Sequence, residues 1–255
     1  MATEDQPDRG ALAEADDGTF VVPASDAQRL FWIADRASSA RALYNTPVVY
    51  RITGPLDVDA LRRSLADLIQ RHESLRTSFV ENDGVIRQCV APHVTVPLRV
   101  TDVSEDPAGW LTAGKAEIAE PFDLTSGPLI RVALFRLGTD AHVLVVTGHH
   151  TIFDGWSETV LLHDLEALYT AAMVGCPVRL PGLTIQYADF SVWRAQVASR
   201  AGDERALAYW QEQLRDLPTL DLPADRLRPS QPTMAGALRE FECPPLTTAS
   251  IKALA

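Results

Sequence analysis

Apolar positions along this chain change period several times, and each change marks an element. Residues 46–54, "TPVVYRITG", alternate with Val48, Tyr50 and Ile52 in step, which predicts a strand. The next run, "LDVDALRRSLADLIQRHESLRTSFV" (56–80), switches to helical spacing. Leu61, Leu65, Leu68, Ile69 and His72 share one face, and Asp57 or Asp59 is placed to cap it. Residues 77–90 read as a hairpin with Asn82-Asp83-Gly84 at its turn. A strand over 96–103 and a helix over 108–120 follow.

Two apolar runs, 128–137 and 142–150, flank Gly138-Thr139-Asp140-Ala141 and predict an antiparallel pair. The second is apolar at every position from Val143 to Val146, the pattern of a strand covered on both faces. Residues 157–175 then read as a helix with Val160, Leu161, Leu165, Leu168 and Met173 as its stripe and Gly175 past its end. Further helices are predicted at 25–35, 187–201 and 203–216. The first is capped by Ser25 or Asp26.

Toward the end the pattern weakens. Residues 218–232 hold four prolines and several charges and read as a linker. Residues 236–244 return to a strand, and Thr247 or Thr248 opens a helix with Ile251 and Leu254 on its stripe. The helix stops after about two turns, too short to stand alone. The expectation is therefore a lobe whose continuation lies elsewhere. Residues 1–19 read as a disordered acidic leader.

Composition narrows the functions. Among 255 residues the net charge is −11, which argues against a nucleic-acid partner and against anionic membrane surfaces. No run approaches the roughly 20 apolar residues that cross a bilayer, and no signal peptide is visible. Cys89, Cys176 and Cys243 are widely spaced and odd in number. They support neither a disulfide framework nor a zinc knuckle, and a reducing, cytoplasmic setting fits.

The chemistry concentrates in "VVTGHHTIFDGWSETV" (145–160). Neighbours in a strand face opposite sides, so His149 and His150 cannot share one pocket. Asp154 and Gly155 stand at a turn that opens a helix, where free backbone N–H groups would hold an oxyanion. A histidine there can take a proton from a nucleophile. Plainer readings stand beside this one: a satisfied pair of core histidines, a turn or N-cap for Asp154, and a metal pair that lacks a third ligand. Arg71, His72, Glu73, Arg76 and Thr77 read as an exposed helix end, and Trp32, Trp110 and Trp210 as core or interface.

The same residues resemble a known family. His149, His150, Asp154 and Gly155 complete the HHxxxDG signature of the condensation domains of nonribosomal peptide synthetases. "SDAQRLFW" (25–32) resembles that family's opening SxAQxRLW, with one residue fewer between Gln28 and Leu30. "RHESLRTSF" (71–79) matches RHExLRTxF. "YADFSVWRAQ" resembles YxDYxxW at Tyr187, Asp189, Phe190 and Trp193. Their order and spacing agree, over about residues 20 to 255.

The resemblance implies an α/β (α+β) fold: a chloramphenicol-acetyltransferase-like lobe, a mixed sheet flanked by helices, half of a V-shaped pair. It implies an N-terminal lobe over 20–217, then a crossover and the start of the second lobe over 218–255. It implies amide-bond formation between substrates carried on the phosphopantetheine arms of donor and acceptor carrier proteins, beside neighbouring synthetase domains and with no metal. His150 is then the base or amine-positioning group, and Gly155 offers its N–H to the oxyanion. His149 is structural, and Asp154 scaffolds the loop with Arg76 as a candidate partner. Trp156, Ser157, Ser25 and Gln28 fall along the substrate tunnel. One lobe alone is expected to be inactive or weak. A carrier-recruiting module without chemistry, and ester-forming or epimerising relatives, are the alternatives.

Overall fold

The computed structural model describes residues 17–38, 40–198, 202–218, 220, 222–226, 236–237, 239 and 241–254. Residues 1–16 of the expected acidic leader (1–19) and most of the proline-rich stretch lie outside the described residues. The chain divides into two compact units, Met1–Arg215 and Asp216–Ala255.

In the first unit the elements are β1 (Phe20–Pro23), α1 (Asp26–Ala37), β2 (Asn45–Thr53), α2 (Val58–Arg71), β3 (Thr77–Asn82), β4 (Val85–Val90) and β5 (Leu98–Asp102). They continue with α3 (Trp110–Ala119), β6 (Ile130–Gly138), β7 (Ala141–His149), α4 (Gly155–Val174), α5 (Tyr187–Ala198) and α6 (Gly202–Gln213). The strands divide between two sheets. One has four strands in the order β2-β7-β6-β5, the other three in the order β1-β4-β3. The larger sheet is mixed: β5 runs parallel to β6, a connection that needs a crossover, and α3 supplies it.

β7 explains the architecture. Its residues alternate between two apolar layers. Val143 and Val145 pack with Ala133 and Phe135 against Trp110, Ala113 and Ile118 at α3. Leu144 and Val146 join Leu61, Leu65, Leu68, Leu161, Leu165 and Leu168 of α2 and α4 on the other face. Each such side chain contributes about 1.5–3 kcal/mol when fully buried. The unbroken run from Val143 to Val146 is thus a strand between two helical layers, as its pattern predicts.

Local chemistry sets the ends. In α1 the Ser25 hydroxyl accepts from the Gln28 N–H at 3.2 Å and the Gln28 carbonyl oxygen Oε1 accepts from the Ser25 N–H at 2.9 Å, a closed capping box. Asp57, not Asp59, caps α2 by accepting from the Ala60 N–H at 2.8 Å. Asp83 and Gly84 turn the β3–β4 hairpin with φ of 53° and 77°. Gly175 ends α4 at φ 69°. The end of α2 is tied to α4: Arg71 donates to Asp164 Oδ2 at 2.8 Å, and His72 Nε2 lies 2.9 Å from the same oxygen.

Several expectations are corrected. The buried face of α4 is Leu161, Asp164, Leu165, Leu168 and Ala171, so Val160 falls at its edge and Met173 on the far side, and both are exposed. Arg76 and Thr77 are buried rather than an exposed helix end. Trp210 is exposed on α6, and Trp32 is buried. Strand β1 has no counterpart in the predicted elements. It pairs with β4, and Val22 and Val90 pack on Ala188 and Val192 of α5.

In the second unit the residues described between 236 and 244 form no strand, because no neighbouring strand pairs with them among the described residues. Helix α7 (Pro245–Leu254) starts earlier than Thr247, with proline in its first turn, and exposes Leu246, Ile251 and Leu254.

Candidate active site

The site forms where β7 runs out. The His149 N–H donates to the Leu129 carbonyl at 2.9 Å, the last rung toward β6. The His150 N–H donates to the Tyr44 carbonyl at 2.8 Å. The chain then folds back tightly: the N–H groups of Ile152 and Phe153 both reach the His149 carbonyl, at 2.9 and 3.1 Å. Gly148 makes this possible. A Cβ at Gly148 would sit 2.7 Å from the Cβ of Phe153. No side chain fits there, so glycine lets the loop lie against the strand.

The two histidines diverge as strand alternation requires. His149 is buried, with 1% of its surface exposed. Its Nδ1 accepts from the Thr151 N–H at 3.2 Å and lies 2.9 Å from the Thr151 hydroxyl. Its Nε2 lies 3.6 Å from Asp35 Oδ1, a buried carboxylate on α1. Burial pushes the His149 imidazole below its ordinary value. Asp35 opposes that shift, and His150 adds to it. The ring stands edge-on to Tyr44 and Phe122.

His150 is half-buried and opens into a cavity of about 180 Å³ that Gln28, Phe31, Ser74, Asp154 and Ser157 also line. Phe31 stacks on the imidazole, with ring centroids 4.3 Å apart and planes 18° from parallel. Helix α1 therefore carries Phe31 for His150 and, one turn further on, Asp35 for His149.

Asp154 caps α4. Its Oδ1 accepts from the Ser157 N–H at 2.8 Å and from the Ser157 hydroxyl at 2.6 Å. The hydroxyl and then the amide hold its carboxyl below the usual carboxylate range. The expected pairing with Arg76 is not formed. Arg76 is buried and gives its guanidinium to the carbonyls of Ile69, Gln70, Ala91 and Pro92, clasping the end of α2 to the segment after β4. The carbonyls of Ile69 and Gln70 at the helix end and of Ala91 and Pro92 after the strand take the cation, while Asp154 already has local donors.

Gly155 opens α4 with nothing within 4 Å of where a Cβ would stand, so the helix start is uncovered. Trp156 is 79% exposed. With Leu68, Val160 and Leu161 it lines a second cavity of about 120 Å³, and Ser157 borders both cavities. Gln28 faces the His150 cavity, and its Nε2 donates to Gln88 at 3.0 Å. Ser25 caps α1 and meets the Tyr187 hydroxyl at 2.9 Å. Asp189 accepts from the Gln186 N–H, in keeping with a cap at the start of α5.

Phe31, Asp35, Gly148 and Thr151 were not singled out from the sequence. A signal existed for the first two: they stand four apart in a helix whose opening residues already pointed to the site. Among the described residues no three His, Cys, Asp or Glu side chains converge as a metal site would require. No described helix is long and apolar enough to cross a membrane.

The mixed α/β lobe, which sets a histidine at a strand end before a tight return and a capped helix, has a chloramphenicol-acetyltransferase-like fold. The condensation-domain profile matches residues 19–255, and the chain belongs to the condensation domain family of nonribosomal peptide synthetases. It is 41% identical over 246 residues to the phosphinothricin tripeptide synthetase PhsC of Streptomyces viridochromogenes, covering 94% of this chain and 22% of that synthetase. It is 42% identical over 212 residues to the bassianolide nonribosomal cyclodepsipeptide synthetase of Beauveria bassiana, covering 82% of this chain and 7% of that synthetase.

Among solved structures, the first condensation domain of the calcium-dependent antibiotic synthetase in complex with substrate analogue 2a superposes with a TM-score of 0.69 at 27% identity. The match covers 78% of this chain and 48% of that one. The X-domain complexed with OxyB from teicoplanin biosynthesis gives a TM-score of 0.72 at 28% identity, over 91% of this chain and 50% of that one. The chain thus spans about half the length of these structures and a small part of its curated relatives.

Proposed function

We propose that this lobe supplies His150 to amide-bond formation between a donor acyl or peptidyl thioester and an acceptor amine. Both substrates ride on phosphopantetheine arms of carrier proteins. The acceptor nitrogen attacks the thioester carbonyl, the C–N bond forms, and the C–S bond breaks. The proton leaves the amine and the donor arm departs as its thiol. The observation that carries this reading is the placement of His150: its ring opens into a cavity, stacked on Phe31, with its backbone pinned to Tyr44. Whether it removes the proton or orients the amine, the ring must sit at the nucleophile.

Gly155 stands at an uncovered helix start, where a backbone N–H stabilises developing oxyanion charge. Trp156 and Ser157 would border the path of the substrates, with Gln28 opposite. A second wall from another lobe would complete the enclosure, so the 255-residue chain alone is expected to turn over far more slowly than a two-lobe protein.

The test uses a synthetase module carrying this lobe, an acyl-loaded donor carrier and an aminoacyl-loaded acceptor carrier. The acceptor gains the mass of the donor group, and His150→Ala abolishes the gain while the protein stays folded. The X-domain likeness raises a second reading, recruitment of a partner without chemistry. Unchanged product with His150→Ala, or no product while both carriers bind, would favour it. A hydroxyl-loaded acceptor in the same assay separates an ester-forming relative.

A further inference from the structure

One buried carboxylate near the site has no part in the reaction above. Asp35 is 5% exposed, on the face of α1 that also carries Phe31. Its carboxylate faces His149 Nε2 at 3.6 Å, an electrostatic contact longer than a hydrogen bond. That nitrogen has no hydrogen-bond partner among the described residues.

The proton on His149 can be placed by its neighbours. A backbone N–H only donates, and the Thr151 N–H points at Nδ1. Nδ1 must therefore present its lone pair, and the neutral ring carries its hydrogen on Nε2. That hydrogen faces Asp35. In the other tautomer two electron-rich groups would confront each other in a buried site, and the Thr151 N–H would lose its acceptor. Asp35 thus favours the tautomer that the loop requires. The loop residue so anchored, Thr151, is bonded directly to His150, whose own N–H is pinned on the other side to Tyr44.

We infer that Asp35 is a positioning residue for His150, acting through the tautomer of His149 and the anchoring of Thr151. The inference rests on the catalytic reading of His150, and it adds the device that aims that ring. One helix then serves both histidines. Phe31 supports the reacting ring directly, and Asp35 fixes the backbone beneath it.

The test has two arms. In the full chain with ¹⁵N-labelled histidine, the ring shifts of His149, assigned by their loss in His149→Gln, report the tautomer without any turnover. The Nε2–H form is expected, and it should persist in Asp35→Asn, whose amide oxygen still accepts. It should give way to a mixture in Asp35→Leu. In the two-lobe module, Asp35→Leu should lower kcat about ten- to a hundred-fold. KM for both carriers should stay unchanged, and Asp35→Asn should restore most of kcat.

An Nδ1–H tautomer in the unaltered chain overturns the inference, even if Asp35→Leu does not fold. So does a folded Asp35→Leu with undiminished kcat, or one whose defect lies in KM alone. If His150→Ala leaves turnover intact, the catalytic reading fails instead, and the tautomer measurement, which needs no turnover, is independent of that failure.

Discussion

Phe31 lies almost flat against His150, so the ring expected to meet the substrate has an aromatic backing from α1 rather than from its own loop. Such a contact fixes the imidazole plane, and Nδ1 is buried without a hydrogen-bond partner among the described residues.

This makes Phe31 testable. A stacked pair contributes about 0.5–1.5 kcal/mol beyond its buried area, so Phe31→Ala costs modest stability. The larger effect should fall on chemistry, with kcat down about ten-fold or more as the ring loses its plane. Phe31→Tyr should keep most activity. Steady-state rates on loaded carriers, beside a thermal melt, separate the two effects.

Gly148→Ala should destabilise the lobe by about 1–3 kcal/mol, as overpacked cores do. The clash is with the Cβ of Phe153 at 2.7 Å as well as its Cγ at 2.9 Å, so Phe153→Ala relieves only part of it. Urea unfolding of both single variants and the double variant decides. Recovery of the wild-type midpoint in the double variant would contradict the geometry.

Arg76 holds carbonyls rather than the motif aspartate, so its loss is a matter of folding. Hydrogen bonds from a charged donor are each worth about 1.5–3 kcal/mol, and Arg76→Ala leaves one buried and three partly buried acceptors without it. A loss of a few kcal/mol is expected. Arg76→Lys should recover little, because an ammonium cannot span the same fork. Melting temperatures test this. An unchanged Arg76→Ala would place the guanidinium elsewhere.

Stability should fall as the solution turns acidic, in two stages. Burial holds His72 and His149 below the ordinary imidazole value. Below about pH 6.5 the unfolded chain therefore binds more protons than the folded one, and stability drops until the folded values are passed. Asp154 is depressed by Ser157. At Asp164 burial pushes upward, but hydrogen bonds from His163, Arg71 and His72 outweigh it. These two stabilise above about pH 4 and lose that contribution as pH falls through their folded values. Urea midpoints across this range should show both stages, and His149→Gln should flatten the first.

Where the chain's own neighbours decide a feature, the sequence displayed it. The apolar run of β7, the Asp83-Gly84 turn and the divergence of His149 and His150 follow from alternation and local φ. So does the capping side of Asp154, since a carboxylate three residues before a free N–H closes on it. Features decided by distant partners were not legible. β1 is a strand because β4 lies beside it, and four residues alone carry no period. Residues 236–244 alternate like a strand but meet no described partner. Arg76 is a candidate partner of Asp154 on family likeness, while its partners are backbone carbonyls that no side-chain pattern reveals. Asp35 reads as one acidic residue among many until the fold places it against His149.

β7 is covered by α2 and α4 on one face and by α3 on the other, and His149 is its last residue. In native-state hydrogen exchange, amides in such a strand open only when the whole molecule does. If His150 acts as proposed, its ring is tied, one residue past the strand's end, to the slowest clock in the lobe. On that reading, motion that admits or releases a substrate would come from parts that tick faster, the exposed Trp156 among them.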